Sequence, residues 1–218
     1  MFQYFTKKNL VSNFHNAFSS VTLFLVVLLS LQILFLNKAN AGLISFTPNV
    51  GLSNQTTKLT DLSDSLTEIK ISNPVYGLKI GVNAMSGISI DAAGTYSSGR
   101  AKIINGSLEK ENDYTETQAA VQLSVSAMNT FKIYLGYIAQ NELTIKGLTQ
   151  ALSYKLKGTG YQAGIAVNMT SSISLGVQYD IHQFNEVNFE SVGRYEDTKT
   201  YYKKIDSQST SLNLAISF

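Results

Sequence analysis

The chain ends with the stretch SLNLAISF at residues 211–218. Leu212, Leu214, Ile216 and Phe218 alternate with small or polar residues, which is the period of a β-strand with one apolar face. A chain end without tertiary contacts frays and needs no such alternation. The stretch therefore predicts a terminal strand that is held in place along one face.

Residues 1–41 have the layout of a secretory signal peptide. Two lysines precede an uncharged apolar run at residues 21–36, and Ala39 and Ala41 follow it in an A-x-A pattern. The run is shorter than the roughly 20 residues that a spanning helix needs. An uncleaved membrane anchor is the alternative, and the A-x-A pattern argues against it. We therefore expect export, cleavage after Ala41 and a mature chain of residues 42–218.

The charge balance gives no support for a nucleic-acid partner. The whole chain has 17 basic and 15 acidic residues. Three of the lysines lie in the leader, which has no acid, so its removal leaves 14 basic residues against 15 acidic ones. A nucleic-acid-binding domain is usually strongly basic. The sequence also has no cysteine, so we expect this exported chain to fold without disulfides.

Alternation of apolar residues recurs along the mature chain, and no segment shows a helical apolar stripe of useful length. The pattern predicts eight strands, each apolar on one face and mixed on the other. A change of phase near Gly158 and Gly160 predicts a β-bulge there. The eight apolar faces lie, in chain order, within residues 44–52, 76–84, 88–96, 119–125, 131–139, 161–169, 173–181 and 212–218.

The connections between these strands alternate between tight and long. The tight ones are VNAMSGISI, VSAMNTFKI and VNMTSSISL, around Met85, Met128 and Thr170. The long ones are KLTDLSDS, SSGRAKIINGSLEKENDY, QNELTIKGLT and residues 183–199. Such alternation is typical of an up-and-down sheet with all tight turns at one end, whereas soluble sandwiches usually mix connection lengths. The sequence therefore predicts an all-β fold, an eight-stranded antiparallel up-and-down barrel with four long loops at one end.

The placement of tyrosine indicates that the apolar face points to lipid. Five tyrosines lie on that face, each about seven to nine residues from its nearest tight turn. At ~3.3 Å per residue and a tilt near 40°, they lie roughly 20 Å from the turns, the height of an outer aromatic girdle. The terminal strand then closes the barrel against the first strand, because unpaired backbone groups in lipid cost several kcal/mol each. The predicted girdle consists of Tyr76, Tyr96, Tyr137, Tyr161 and Tyr179.

The opposite face of the strands consists of polar or small residues, with charges of both signs. Eight strands leave room inside only for side chains, so we expect these residues to fill the lumen as a paired network. The alternative is that they face bulk water. The leading members of the predicted network are Lys79, Asp91, Lys132 and Asp180.

The sequence resembles the small bacterial outer-membrane barrels, a group that includes the OmpA barrel domain, OmpX and the opacity-type surface proteins. The resemblance rests on the leader ending in ANA, on the patterns YGLKIGV, YLGYIAQ and GTGYQAGIAV, and on the terminal LNLAISF; the absence of tryptophan is a departure. It implies a place in the bacterial outer membrane, in contact with lipid and lipopolysaccharide. It also implies that the barrel-assembly machinery recognises the terminal strand through Leu212, Leu214, Ile216 and Phe218.

Enzyme chemistry is an alternative interpretation. The single histidine of the mature chain, His182, lies at the top of the seventh strand, and a lipid-A-modifying enzyme would need it beside a group such as Ser191 or Glu186. A lone histidine at the rim is more often simply solvated. The sequence shows no metal-ligand cluster, phosphate loop or nucleotide fingerprint. We therefore expect no enzyme activity and no cofactor.

The long loops carry the remaining functional information, because exposed loops on a rigid scaffold are common binding sites. Their lysines are expected at or above the outer rim, near phosphorylated lipid headgroups. The candidates for headgroup contact are Lys155, Lys157, Lys199, Lys203 and Lys204.

The sequence thus predicts a structural or surface-interaction barrel that displays four loops outward over a side-chain-filled lumen. A host or envelope protein is the expected partner of the loops. Three alternatives stay open: a narrow porin-like channel for ions or small solutes, a lipid-A-modifying enzyme centred on His182, and a soluble barrel of the lipocalin type with its apolar face inward.

Overall fold

A computed structural model describes residues 44–85, 87–127, 130–147 and 153–218. Most of these residues lie in strands, and none of the described segments forms a helix with the length and apolar character to cross a bilayer. The predicted signal peptide, residues 1–41, lies outside the described residues.

The described residues form eight long strands and one strand of two residues. They are β1 (Ile44–Asp61), β2 (Leu66–Met85), β3 (Ile88–Asn105), β4 (Leu108–Ala127), β5 (Phe131–Lys146), β6 (Tyr154–Asn168), β7 (Ile173–Phe189), β8 (Glu196–Asp197) and β9 (Tyr202–Ile216).

The long strands pair antiparallel in chain order and close into a barrel. β9 pairs with β1 on one side and with β7 on the other, so the sheet returns to its first strand. The short β8 pairs with Glu186 and Val187 of β7. The predicted eight-stranded antiparallel barrel is confirmed.

The tight turns lie where the sequence predicts them. They join β2 to β3, β4 to β5 and β6 to β7, and up-and-down pairing places all three at one end of the barrel. Gly87, in the first of these turns, has φ +80°, a conformation that L side chains rarely adopt.

The strands are much longer than the predicted ones. They span 15 to 20 residues, whereas crossing a bilayer takes about 9–11 residues per strand. We call the part from the tight turns to the predicted tyrosine girdle the membrane band. The remainder of the long strands is the projecting half. The membrane band comprises residues 44–52, 76–85, 88–96, 117–127, 131–137, 161–168, 173–181 and 210–216.

Two of the four stretches predicted as long loops are therefore largely strand, and the other two, KLTDLSDS and residues 183–199, are strand in their first part. In SSGRAKIINGSLEKENDY, residues 97–105 pair with residues 108–116, and only Gly106 and Ser107 make the turn. The other strands of the projecting half take up residues 58–61, 140–146 and 183–189 in the same way. The prediction was wrong because charged residues were taken as a sign of loops. In this half the charged side chains, except that of the buried Glu116, lie on the water-facing side of regular strands.

The apolar face of the strands points outward in the membrane band and inward in the projecting half. In the membrane band Ile80, Val121 and Ile165 point outward and are exposed. Beyond it the outward positions of β2 are Glu68 and Lys70, and the apolar residues turn inward. A band with apolar residues outside and polar residues inside is the order of a membrane barrel. The projecting half has the ordinary order of a barrel in water.

A compact apolar core occupies part of the projecting half, beside buried polar side chains that include Gln55, Glu116 and His182. Its members come from seven different strands and are almost entirely shielded from solvent. We call this set the apolar cap: Leu59, Ile69, Ile71, Ala101, Tyr114, Leu143, Ile145, Leu156, Phe184 and Val187.

The strand pairing is irregular near Gly158, as the sequence predicts, but the extra residues lie on the neighbouring strands and not on β6 itself. β6 runs straight through Gly158 and Gly160, and the extra residues lie on its neighbours, within 139–140 of β5 and at Asn185 of β7. A Cβ on Gly158 would lie 1.9 Å from the carbonyl oxygen of Gln183. The glycine therefore allows the bulged neighbour to approach the backbone of β6.

Candidate functional site

The interior of the membrane band holds a charged pair on β3 and β5. Lys132 Nζ lies 3.2 Å from Asp91 Oδ2, and the Asp91 side chain is only 3% exposed. The hydroxyl of Ser124 donates to the same carboxylate oxygen at 2.7 Å. A buried carboxylate needs such partners, because an unpaired charge is costly to desolvate.

A second cluster surrounds Asp180 on β7. Its carboxylate accepts hydrogen bonds from the Gln178 amide at 2.9 Å and from the Ser209 hydroxyl at 3.1 Å. The Tyr134 hydroxyl donates to Gln178 Oε1 at 3.1 Å. Lys79 Nζ lies 4.3 Å from the centroid of the Tyr134 ring, a cation–π geometry.

The four residues of the predicted lumen network thus all face inward, but in two groups. Asp91 and Lys132 form a direct ion pair, while Lys79 reaches Asp180 through Tyr134 and Gln178. The amides and hydroxyls that link them were not singled out from the sequence. Strand register brings them together, and register is not visible in any one strand.

His182 is buried, which makes the expectation of a solvated rim histidine wrong. It is 2% exposed, with Nδ1 2.8 Å from Asn141 Nδ2 and Nε2 3.4 Å from Ser209 Oγ. Ser191 lies in an exposed connection, and Glu186 lies 3.9 Å from Lys157 on the outer surface. Neither contact expected of an esterase site is therefore made.

On the lumen side, where Ser209 lies, the Ser209–His182 contact has little room for a substrate. Ser209 lines a lumen cavity of about 40 Å³, which is space for one or two water molecules. Gln122 Oε1 and Gln162 Nε2 also belong to residues lining this cavity and have no protein partner among the described residues. The cavity is polar enough to hold water.

The apolar cap lies directly above this polar interior. Tyr114 of the cap is 1% exposed, and its hydroxyl bonds to Ser97 below. Burial raises the pKa of Tyr114 to about 12, so its phenol stays neutral at physiological pH. A contiguous apolar layer excludes water and ions from the route between the lumen and the outside.

The five predicted girdle tyrosines all lie on the outward face. Tyr76 is directly opposite Tyr96, and Tyr137 is opposite Tyr161 with ring centroids 5.7 Å apart. The hydroxyl of Tyr179 donates to Gln208 at 2.8 Å. Their role as an interfacial belt remains a prediction.

The five lysines predicted to contact headgroups lie in the projecting half and its outer connections. Lys155 and Lys157 are on β6, Lys203 and Lys204 are on β9, and Lys199 is in a short 3-10 turn. All but Lys199 have a carboxylate within 4.0 Å of Nζ. Headgroup contact by this set remains a prediction.

The terminal strand lies between β1 and β7. Leu212 and Leu214 point outward and are exposed, and β9 ends at Ile216. Phe218 lies beyond that strand end, after Ser217, whose N–H donates to Ser172 O at 2.7 Å. Recognition of these residues by the assembly machinery remains a prediction.

The described residues contain no group of three or more histidine, cysteine, aspartate or glutamate side chains that could hold a metal ion.

Comparison with known proteins agrees with this architecture. The sequence model of the family described as "Outer membrane protein beta-barrel domain" matches residues 26–218. The comparison with curated proteins gave no match.

Solved structures of small barrels are similar in fold. Ail of Yersinia pestis, in complex with the heparin analogue sucrose octasulfate, has a TM-score of 0.53 at 10% identity, over 80% of this chain and 99% of that chain. Outer membrane protein AlkL, solved by solid-state NMR in DMPC bilayers, has a TM-score of 0.50 at 16% identity, over 84% and 93%. At these identities the likeness shows the fold alone.

Proposed function

We propose a structural or surface-interaction role for this chain, which belongs to the outer membrane protein beta-barrel domain family and lies in the bacterial outer membrane. In this proposal the barrel is a sealed support, and its function resides on the outer surface of the projecting half.

The apolar cap is the observation that carries the proposal. A channel for ions needs a continuous polar path, and in this chain ten buried cap residues lie across the outer end of the polar lumen. The lumen below is occupied by paired side chains such as Asp91 and Lys132. Both features favour a closed barrel over the porin-like alternative.

The projecting half supports the display part of the proposal. Its strands carry surface ion pairs, such as Arg100 with Glu111 at 3.2 Å and Lys102 with Glu109 at 2.7 Å. Regular strands raise these side chains and the outer connections above the lipid. Binding surfaces commonly lie on such connections when a rigid scaffold holds them. A host or envelope protein is the partner class we propose for this surface.

Planar-bilayer recording tests the closed barrel. The purified chain should give no steady openings, because the cap blocks the path. A Leu143→Ala/Leu156→Ala variant thins the cap and should leak more than the matched variant Leu123→Ala/Leu135→Ala, whose changes face lipid. Steady single-channel openings of the unmodified chain would contradict the sealed lumen and favour the channel.

Adhesion tests the surface role. Bacteria that express the chain should adhere to immobilised host extracellular matrix better than bacteria that do not. A variant with the β3–β4 hairpin shortened by residues 102–109 should lose that gain while it keeps the heat-modifiable gel mobility of a closed barrel. Equal adhesion of all three strains would leave only the structural role.

We also propose that residues 1–41 are removed on export. N-terminal sequencing of the chain recovered from outer membranes should begin at Gly42. A start at the initiating methionine would point to an uncleaved anchor.

A further inference from the structure

Glu116 of β4 is a buried acid without a cationic partner. It is 8% exposed, and no ion pair found among the described residues includes it. It lies on the same face of β4 as Tyr114 of the apolar cap, opposite Ser97 of β3 and the cap residue Leu143 of β5. Glu116 therefore lies at the base of the cap, where an ionised carboxylate is costly to desolvate.

The charges of the barrel interior do not balance if Glu116 is ionised. Among the described residues, the buried acids are Asp91, Asp180 and Glu116, and the amines that face the lumen are Lys79 and Lys132. The first two acids belong to the two lumen groups, each of which includes one of the lysines. Glu116 is left as a third negative charge without a counterpart. A proton on its carboxyl group brings the interior to neutrality.

Neutral amides surround the Glu116 carboxyl group. Gln55 Nε2 donates to Glu116 Oε1 at 3.3 Å, and the Asn141 side chain also hydrogen-bonds to this carboxyl group. Such amides satisfy an oxygen atom but bring no opposite charge. Burial outweighs these hydrogen bonds and raises the pKa of Glu116 to about 7, and the negative charge of Asp180 acts in the same direction.

Asn141 offers the other half of a carboxyl–amide pair. It is 0% exposed, its Nδ2 lies 2.8 Å from His182 Nδ1, and its Oδ1 has no hydrogen-bond partner among the described residues. A protonated carboxyl group has one O–H donor, whereas a carboxylate has none. A proton on Glu116 therefore provides the kind of donor that Asn141 Oδ1 lacks.

The same proton assignment gives each donor of the neighbouring side chains an acceptor. One N–H of Asn141 serves Glu116 and the other serves His182 Nδ1. His182 is then neutral with its proton on Nε2, which donates to Ser209 Oγ at 3.4 Å, and Ser209 donates to Asp180 Oδ2 at 3.1 Å. Burial lowers the pKa of His182 to about 4, which agrees with a neutral ring. This chain of hydrogen bonds joins β4, β5, β7 and β9 where the membrane band meets the projecting half.

The other titratable groups around Glu116 keep their charge near neutral pH. Among the described residues they are Tyr114 of β4, Lys79 of β2, and Asp180 and His182 of β7. The tyrosine and the histidine are neutral, and the lysine and the aspartate are linked and opposite in sign. The residues of β1, β3, β6 and β9 that line the lumen cavity are amides, hydroxyls or apolar groups, and β5 contributes the asparagine and a cap leucine. Glu116 is thus the group whose charge changes.

We propose that the folded barrel holds one proton on Glu116 and that release of this proton loosens the projecting half from the membrane band. While the proton is bound, Glu116 pairs with Asn141 beneath a closed cap. On release the proton passes to water, and the carboxylate that remains must gain water or move away from the cap. The cap is therefore tight in acidic surroundings and opens more often in alkaline ones. This inference rests on the apolar cap and not on the surface-interaction role.

The direction of the effect follows from proton linkage. The pKa of Glu116 is about 7 in the closed cap against an ordinary 4.5, so between these values the closed cap holds a proton that an opened cap has released. Opening is favoured as the pH rises through this window, and Glu116 alone should raise the opened population about tenfold from about pH 6 to about pH 8. An exposed His182, with its ordinary pKa of 6.5, acts in the opposite direction. The reference is therefore a variant that differs only at Glu116.

Hydrogen–deuterium exchange of the full barrel in detergent measures cap opening at residues 140–146 of β5, after correction for the intrinsic rate. Glu116→Gln keeps the size of the side chain and cannot ionise. Relative to this variant, opening of the unmodified barrel should rise about tenfold between about pH 6 and about pH 8. Glu111→Gln, which changes an exposed acid of β4 beside Arg100, is the matched control and should behave as the unmodified barrel does. The same pH dependence in the unmodified barrel and in Glu116→Gln would overturn the proposal.

Infrared spectroscopy of the unmodified barrel detects the proton without any variant. A carbonyl band of a protonated carboxyl group should be present at about pH 6, where exposed glutamates are already ionised, and lost at about pH 8. Labelling glutamate side chains with carbon-13 should shift this band, which separates Glu116 from Asp180. Absence of the band at the lower pH, or a band that the label leaves in place, would show that Glu116 holds no proton.

Heat-modifiable mobility of each variant checks that the barrel is folded. Conductance and adhesion at one fixed pH test the proposed function, and a failure there leaves the infrared result unchanged. An unprotonated Glu116 would in turn leave the surface role intact.

Discussion

Two leucines of β5 have opposite surroundings. Leu135 is 63% exposed on the outward face of the membrane band, and Leu143 is 0% exposed within the apolar cap. An unbroken strand would place both on the same face, because their positions differ by an even number. The extra residue within 139–140 turns the second leucine inward.

Alanine substitutions at these two positions should differ in cost. Leu143→Ala removes buried contacts and leaves a cavity in the cap, so it should lower the free energy of unfolding by about 2–5 kcal/mol. Leu135→Ala should cost less, because lipid chains refill the space and only the transfer free energy is lost. Denaturant unfolding of the refolded barrel in lipid measures both.

The same pair of variants tests the placement of the cap. A larger loss from Leu135→Ala than from Leu143→Ala would mean that Leu143 faces lipid or water and that the cap does not form.

The burial of His182 is a property of a single residue that could not be predicted from the sequence. Its strand position predicts that it lies near the rim, and it does lie just beyond the membrane band. Its burial depends on Asn141 and Ser209, which come from β5 and β9. No local pattern around a histidine reports partners from distant strands.

At the scale of elements, the bulges decide which face of a strand is inward. Beyond residues 139–140 of β5 the odd-numbered residues Leu143 and Ile145 are buried. Deleting one residue there restores an unbroken strand and would turn these two side chains outward.

Deletion of Ala139 should therefore disrupt the projecting half. We expect cleavage by added protease within the outer parts of β4 to β6, where the unmodified barrel resists. Ala139→Ser keeps the chain length and serves as the control, with resistance unchanged. A deletion variant as resistant as the unmodified barrel would show that the bulge does not set the face.

The β1–β2 turn is an element with its own pH dependence. The carboxylate of Asp61 accepts hydrogen bonds from the Ser63 hydroxyl and from the N–H groups of Ser63 and Ser65, each at 2.8 Å. These bonds, led by that of the Ser63 hydroxyl, hold the pKa of Asp61 below its ordinary value. A lowered carboxyl pKa stabilises the turn above the unfolded-state pKa, and this contribution is lost as the pH falls through the lower folded-state value.

Amide NMR of the turn checks this sign. Protection of the Ser63 and Ser65 amides from exchange should persist at pH values where an ordinary aspartate, with a pKa of about 3.9, is already protonated. Asp61→Ala should remove the pH dependence. An Asp61 titration at or above the ordinary value would contradict the hydrogen-bonded turn.

The lengths of the strands could have been found in the sequence. In the stretch EIKIS at residues 68–72, apolar and charged residues still alternate, but with Ile69 and Ile71 on the face opposite to Tyr76. The alternation predicts a strand, whereas charge alone suggests a loop. The sequence does not show at which residue the outward face of a strand passes from lipid into water.

At the scale of the molecule, one barrel faces two solvents. Lipid surrounds the membrane band, and water surrounds the projecting half. The order predicted from the tyrosines holds in the membrane band, with Ile80, Leu135 and Ile165 outward and Lys79 and Lys132 inward. In the projecting half the apolar residues face inward and the charged residues other than Glu116 face outward. The sequence analysis assigned the apolar face of every strand to the outside, so it could not predict this reversal. The hydrophobic effect acts in both halves and buries apolar groups away from water, in lipid or in the cap.

Spin-label accessibility along β5 tests this reversal most directly, and the cysteine-free chain allows single labels without background. Labels replacing residues 131–146 one at a time, in lipid, should be reached by oxygen at 131, 133, 135 and 137. Beyond the bulge, labels at 142, 144 and 146 should be reached by a water-soluble nickel complex, and those at 143 and 145 by neither reagent. Oxygen contact at 143 and 145 equal to that at 135 would mean that the strand never changes face and would contradict the account.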